Sequence, residues 1–277
     1  MPIIPIDDLG DARVAEYRTV PDPELLEKRG LFVAEGRLVV RRLLQHDSYR
    51  VGSLLVNRAA LESLRDLLTG RPSLPVYVCP SDALVQIVGF DLHRGCVALV
   101  QRPPARAPAE VCRDARLLLV LEAVTNADNV GGAFRNAAAF GASGVLLSPT
   151  CCDPLYRKAI RTSMGAVLRV PYARIADWPG GVDDVRREGL TLVALTPRVD
   201  ATDISTFAAR DGGLDRVRRL ALLIGTEGDG LSQGVEALAD ERVRIPIDPS
   251  IDSLNLATAA GIALHRLAAL SGGPAGL

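Results

Sequence analysis

Short apolar runs alternate along this chain with stretches whose apolar residues recur every three or four positions. "LFVAEG" (Leu31 to Gly36), "VGSLLVN" (Val51 to Asn57) and "GCVALVQ" (Gly95 to Gln101) are short and continuously apolar, and they read as strands. "RLVVRRLLQH" (Arg37 to His46), "AALESLRDLL" (Ala59 to Leu68) and "DALVQIV" carry helical spacing, and "PVYVCP" reads as extended. The first hundred residues therefore predict a small α/β sandwich of about four strands.

The alternation is stronger after "QRPPARAPAEVCRDAR" (Gln101 to Arg116), a proline-rich stretch without apolar periodicity that reads as a linker. The expected organisation is a domain over 1–105, a linker over 106–116 and a second domain over 117–277. Leu117 to Glu122, Gly144 to Ser148, Leu190 to Thr196, Leu220 to Gly225 and Val243 to Ile247 are near-continuously apolar and separated by helical patterns. That pattern predicts a parallel sheet covered on both faces, with ligands bound beyond the carboxyl ends of its strands. The unusual residues sit at those ends: "TNADNVGG", "TPRVD", "GTEGDG" and "PIDPSIDSLN".

Composition narrows the function classes. Apolar residues make up 48% and charged residues 23%, as in a globular protein, and the net charge is −1. Nucleic-acid binding would have to come from local patches, not a bulk positive field. Nearly all the positive charge is arginine, which suits planar phosphate and base contacts. The five cysteines and three histidines show no zinc spacing, so no metal is expected. No signal peptide and no apolar run of membrane-spanning length is seen, which makes the cytoplasm the expected compartment.

The loops carry the candidate chemistry. "LIGTEGDGLS" has glycines at 225, 228 and 230 but neither the G-x-G-x-x-G order nor a Walker pattern. Glu227, set among those glycines, has no packing rationale. In "IPIDPSIDSLNLATAAGIALHRL" (Ile245 to Leu267), Ser253 is placed to cap a helix. That helix is apolar nearly all round, which predicts a core or a homodimer contact. In "NADNVGGAFRNAAAFGASG", Asn129 and Arg135 lie one to two turns apart.

Taken together, these three ordered stretches and "YRKAIRTSMGA" (Tyr156 to Ala166) resemble the SpoU (TrmH-like) family of RNA ribose 2′-O-methyltransferases, within the knotted SPOUT superfamily. The resemblance implies a C-terminal parallel α/β sheet with a deep trefoil knot, and a smaller N-terminal α/β RNA-binding domain of ribosomal-protein-like type. It implies S-adenosylmethionine as cofactor, held by Gly225, Ile245 and Leu254 with Leu195 and Thr196 at the adenine. Arg135 matches the catalytic arginine, and Asn129, Glu227, Ser253 and Asn255 the remaining polar positions. Arg37, Arg41 and Arg42 are candidate phosphate contacts on the N-terminal side. The implied partners are RNA, ribosomal RNA before transfer RNA, and a second copy of the chain.

Asn126 and Ala127 stand where the family commonly has Asp-Pro, Gly132 where it has alanine, and Pro249 where glycine is frequent. Three alternatives remain. They are a knotted RNA-binding protein without catalysis, a nicotinamide oxidoreductase (against which the missing G-x-G-x-x-G counts), and a base-nitrogen methyltransferase, against which Arg135 counts.

Overall fold

The computed structural model describes residues 2–18, 21–45, 48–89, 95–209 and 219–270. They divide into two compact units, one formed by Met1–Pro104 with Leu155–Leu168, the other by Ala105–Pro154 with Arg169–Leu277.

The first unit holds a five-stranded sheet: β1 (Ile3–Pro5), β2 (Leu31–Glu35), β3 (Val51–Val56), β4 (Val76–Val78) and β5 (Cys96–Gln101). Its order is β1-β4-β3-β5-β2, with β1, β4 and β3 parallel and β5 antiparallel to both β3 and β2. β1 adds a fifth strand to the four expected; three residues are too few for periodicity to show it. Helices α1 (Arg37–Gln45), α2 (Arg58–Leu68) and α3 (Ser81–Val88) follow their strands, and Asn57 caps α2 by accepting from the Ala60 amide at 2.8 Å.

In the second unit β6 (Leu117–Leu121) is buried on both faces, all five of its residues lying inside. After it come β7 (Gly144–Leu147), β8 (Tyr172–Arg174), β9 (Thr191–Leu195), β10 (Thr202–Asp203), β11 (Leu220–Ile224) and β12 (Glu241–Arg244). All pairings are parallel, in the order β10-β12-β9-β11-β6-β7-β8. β8 and β10, of three and two residues, extend the five expected strands to seven. The parallel α/β sheet is as the sequence implied.

The order is interleaved. β11 enters between β6 and β9, and β12 between β9 and β10, after their neighbours are in place. Direction along the sheet reverses at β6 and β11, and a crevice opens beyond the carboxyl ends of β9, β11 and β12.

The helices are α4 (Pro108–Cys112), α5 (Ala127–Ala139), α6 (Arg157–Thr162), α7 (Gly180–Arg187), α8 (Ile204–Ala209), α9 (Gln233–Leu238) and α10 (Leu256–Ala268). α4 lies inside the stretch read as a linker, and its Val111 and Cys112 are buried in the core with Leu118, Leu146 and Ala173. α6 belongs to the first unit. There Arg42 donates to the Met164 carbonyl, the Arg157 amide donates to Asp22 at 3.0 Å, and Arg161 pairs with Glu35 at 3.5 Å. Among the described residues no helix is long and apolar enough to cross a membrane.

Candidate active site

Four segments build the site: the start of α5 and the loops after β9, β11 and β12. Asn126 opens α5, its side-chain oxygen accepting from the amides of Asp128 (2.8 Å) and Asn129 (3.4 Å). The face of α5 bearing Asn129, Gly132, Asn136 and Phe140 packs on α10. A Cβ at Gly132 would stand 2.6 Å from the Ala257 Cβ, so glycine there lets the two helices approach closely. Asn136 Nδ2 donates to the Ala257 carbonyl at 2.6 Å, and the Phe140 and His265 rings meet edge to face at 5.4 Å.

This close approach brings Asn129 to the start of α10, where Asn255 and not Ser253 is the N-cap. Asn255 Oδ1 accepts from the amides of Ala257 (3.0 Å) and Thr258 (3.2 Å); Ser253, two residues earlier, is too far from the first turn to reach them and is exposed. With its oxygen on the helix, Asn255 Nδ2 donates to Asn129 Oδ1 at 3.0 Å and to Glu227 Oε1 at 2.9 Å. Glu227 also accepts from the Leu256 amide at 3.3 Å. Its carboxylate thus sits at the positive end of α10 and ties the loop after β11 to the loop after β12.

The Asn255 amide is fully committed to this network. Asn129 is buried, and its Nδ2 has no partner among the described residues.

Arg135 stands apart from the network. Six residues beyond Asn129, it is turned about 120° from that residue around the helix at 3.6 residues per turn. It is exposed and has no hydrogen-bond or ion-pair partner among the described residues.

Beside the network lies a cleft of ≈ 710 Å³, lined by Leu195 to Pro197, Ile224 to Gly228, Gly230, Ile245, Ile247, Ser253, Leu254, Leu256 and Ala259. All five residues matched to a cofactor by motif are in this wall: Leu195, Thr196, Gly225, Ile245 and Leu254. A Cβ at Gly225 would collide with the Gly230 backbone, so the loop can close on itself only with glycine there. Its lining is mainly aliphatic side chains and glycine-rich loop backbone, a composition that suits a small molecule with apolar faces and a few polar edges. Among the described residues no group of three or more His, Cys, Asp or Glu is placed to hold a metal.

On the first unit, Arg41 forms a two-pronged pair with Asp66 (2.7 and 3.0 Å) and donates to the Ser63 carbonyl at 2.6 Å, and Arg42 is engaged by Met164. Arg37 is exposed at the first position of α1. α10, expected to lack a solvent face, leaves Thr258, Ile262, His265 and Arg266 exposed in the single chain. Periodicity missed this because Ile262 interrupts the polar stripe.

The sequence reading also passed over Glu122, which looked like the end of a strand. It is buried, yet accepts from Trp178 Nε1 (2.7 Å), Ser232 Oγ (2.7 Å) and the Ser232 amide (2.8 Å). A carboxylate closing the apolar run "LLLVLE" was the available signal.

Comparison with known proteins identifies the family. Residues 116–265 match the model of the SpoU rRNA Methylase family. An uncharacterized tRNA/rRNA methyltransferase of Mycobacterium bovis is 38% identical over 261 residues, covering 94% of this chain and 87% of that protein. The AdoMet-bound rRNA methyltransferase of Sinorhizobium meliloti superposes with a TM-score of 0.79 at 25% identity, covering 96% of this chain and 97% of that one. The SpoU methyltransferase AviRb of Streptomyces viridochromogenes, in complex with AdoMet, superposes with a TM-score of 0.76 at 26% identity over 95% and 98% of the two chains. A shared family model over most of the sheet, a shared fold and a cleft where the motifs converge place this chain in the SpoU family of RNA methyltransferases.

Proposed function

We propose that this protein methylates a ribose 2′-hydroxyl of structured RNA, ribosomal RNA ahead of transfer RNA, with S-adenosylmethionine as methyl donor. The observation that carries the reading is that all five motif-matched cofactor residues line one cleft, directly beside the Asn129–Asn255–Glu227 network. AdoMet-bound relatives of the same fold support the cofactor. The interleaving of β11 and β12 supports the trefoil knot, and the outward residues of α10 are where a second copy would pair.

When bound, S-adenosylmethionine supplies an electrophilic methyl group on a sulfonium. Leu195, Ile245 and Leu254, which line the cleft, would hold its apolar faces, and loop backbone around Thr196 and Gly225 would meet its polar edges. A 2′-hydroxyl is a weak nucleophile, so it must be aimed in line, within roughly 3–3.5 Å, and lose its proton. A guanidinium offers five N–H donors and no acceptor, so the role open to Arg135 is that of donor and cation. It orients the ribose and an adjacent phosphate and stabilises the charge that develops on the oxygen, while phosphate or water takes the proton. Asn129 Nδ2 is the network's open donor to the nucleotide. Asn255 and Glu227 lock the two loops together, and the Ser253 hydroxyl borders the cleft. A 2′-hydroxyl target separates RNA from DNA, and shape reading by the first unit, with Arg37 at a phosphate, requires no bulk positive field.

Calorimetric titration of S-adenosylmethionine, with NAD as control, tests the cofactor. Transfer of labelled methyl into ribosomal or transfer RNA, scored by resistance of the methylated linkage to alkali, tests the ribose. Micromolar binding with alkali-labile product would move the target to a base. Binding without transfer to either RNA would favour a catalytically silent RNA-binding protein.

A further inference from the structure

The loop from Gly225 to Leu231 supplies most of one wall of the cleft, and a single residue outside that wall holds both of its ends. The Glu122 amide donates to the Ile224 carbonyl at 2.9 Å, at the point where the chain leaves β11. The Glu122 carboxylate accepts from the Ser232 amide and hydroxyl, where the chain enters α9. Ser232 Oγ in turn accepts from the Val235 amide at 3.3 Å and caps that helix. We propose that Glu122 is a positioning residue for cofactor binding, setting the span and tilt of the Gly225–Leu231 loop. This rests on the reading of the cleft as the S-adenosylmethionine site.

Three features argue for that role over simple packing. Glu122 directly follows β6, whose five residues are buried and apolar, at a place where a leucine would fill the space without the cost of burying a polar group. Its two oxygens receive three N–H or O–H donors, so both must accept, which glutamine, with an NH₂ in place of one of them, does not offer. Finally, Ala123 follows it with φ 53°, a left-handed backbone rare outside glycine, held by its amide donating to Ser148 Oγ at 2.8 Å. That turn carries the chain away from the sheet while Glu122 itself stays level with Ile224.

The third donor makes the device observable. Trp178, the protein's single tryptophan, donates to the same Glu122 oxygen as Ser232 Oγ, so its emission reports on the carboxylate that holds the loop.

The test uses the full chain and S-adenosylmethionine. The dissociation constant is measured by calorimetry, Trp178 emission is followed through the same titration, and thermal melts are recorded without ligand for wild type, Glu122→Gln and Ser232→Ala. Glutamine keeps the length and still accepts from Trp178 but turns an NH₂ toward the Ser232 amide. The expected result is a dissociation constant raised about tenfold or more in Glu122→Gln and by less in Ser232→Ala. The ligand-induced change in Trp178 emission, present in wild type, is lost in Glu122→Gln while its melt stays cooperative.

A merely structural glutamate would lower the melting temperature and leave the binding constant of the folded protein untouched. That result in both variants would overturn the proposal. If Glu122→Gln does not fold, Ser232→Ala decides alone. If wild type does not bind S-adenosylmethionine, the cofactor reading is what has failed, and the role assigned to Glu122 falls with it.

Discussion

α1 of the first unit and α5 of the second are both helices that follow a buried strand and carry arginines, yet they use them in opposite ways. On α1, Arg41 is held by Asp66 and the Ser63 carbonyl, and Arg42 by the Met164 carbonyl. These guanidiniums fasten the helix to its surroundings. On α5, Arg135 is exposed with no partner among the described residues, while its neighbours on the α10-facing stripe are tightly packed. Two arginines of the second unit behave as on α1: Arg174 donates to the carbonyls of Ser148, Pro149 and Cys151, and Arg219 to those of Cys112, Arg113, Ala115 and Glu188. The proposed function gives Arg135 its partner in the RNA substrate.

That contrast can be broken or sharpened by experiment. The largest effect is expected at Arg135: alanine there should reduce methyl transfer about 10²–10³-fold, since a charge-stabilising donor is removed. Stability should change by no more than about 0.5 kcal/mol, as for other exposed positions. Arg135→Lys retaining most of the turnover would show that charge suffices without the planar fork.

Next comes Gly225→Ala, which forces a Cβ into the Gly230 backbone and should abolish S-adenosylmethionine binding in calorimetry while the sheet still melts cooperatively. Gly132→Ala should have a smaller effect. Overpacking against Ala257 costs about 1–3 kcal/mol, partly offset by about 1 kcal/mol of helix propensity. Adding Ala257→Gly should show a coupling energy above about 0.5 kcal/mol in a double-mutant cycle, because the two Cβ positions share one space.

The smallest effect is one of pH, in the first unit. Burial pushes the Glu35 carboxyl above its ordinary value, with Arg161 and Arg157 only partly offsetting it. The folded protein therefore keeps a proton that the unfolded chain has already lost. Stability falls as pH rises from the ordinary carboxylate range, near pH 4.3, through the folded value. Glu35→Gln removes this dependence, so urea unfolding should show the variant gaining on wild type between pH 4 and pH 7. A constant difference would contradict the burial effect.

What was legible in the sequence follows the same division. The five longer strands of the second unit announce themselves because burial on both faces makes them apolar without a break. The motif loops announce themselves because glycines, Asn129 and Glu227 have no reason to be there as packing. β1, β8 and β10 were hidden because two or three residues cannot display a period. The helix start at Asn255 was hidden because Ser253 is an equally good cap by type, and only the hydrogen bonds to Ala257 and Thr258 decide between them. Gly132, which looked like a departure from the family, is matched to Ala257 across a helix contact that sequence separation conceals. Glu122 was hidden because its partners lie 56 and 110 residues away.

The interleaved strand order also governs how the enzyme comes into being. β6 and β9 are synthesised long before β11, which must slide between them and pair with both. Until then each presents an open, apolar edge. The nascent domain is thus a sheet with two slots, exposed to every sticky strand around it and dependent on long-range pairings that form slowly. The polar contact from Asn255 to Asn129 joins α10, which follows all twelve strands, to the start of α5, which follows β6. The candidate site is thus assembled from segments on both sides of the inserted strands. A chain in which β11 has not yet paired leaves the edges of β6 and β9 open to aggregation.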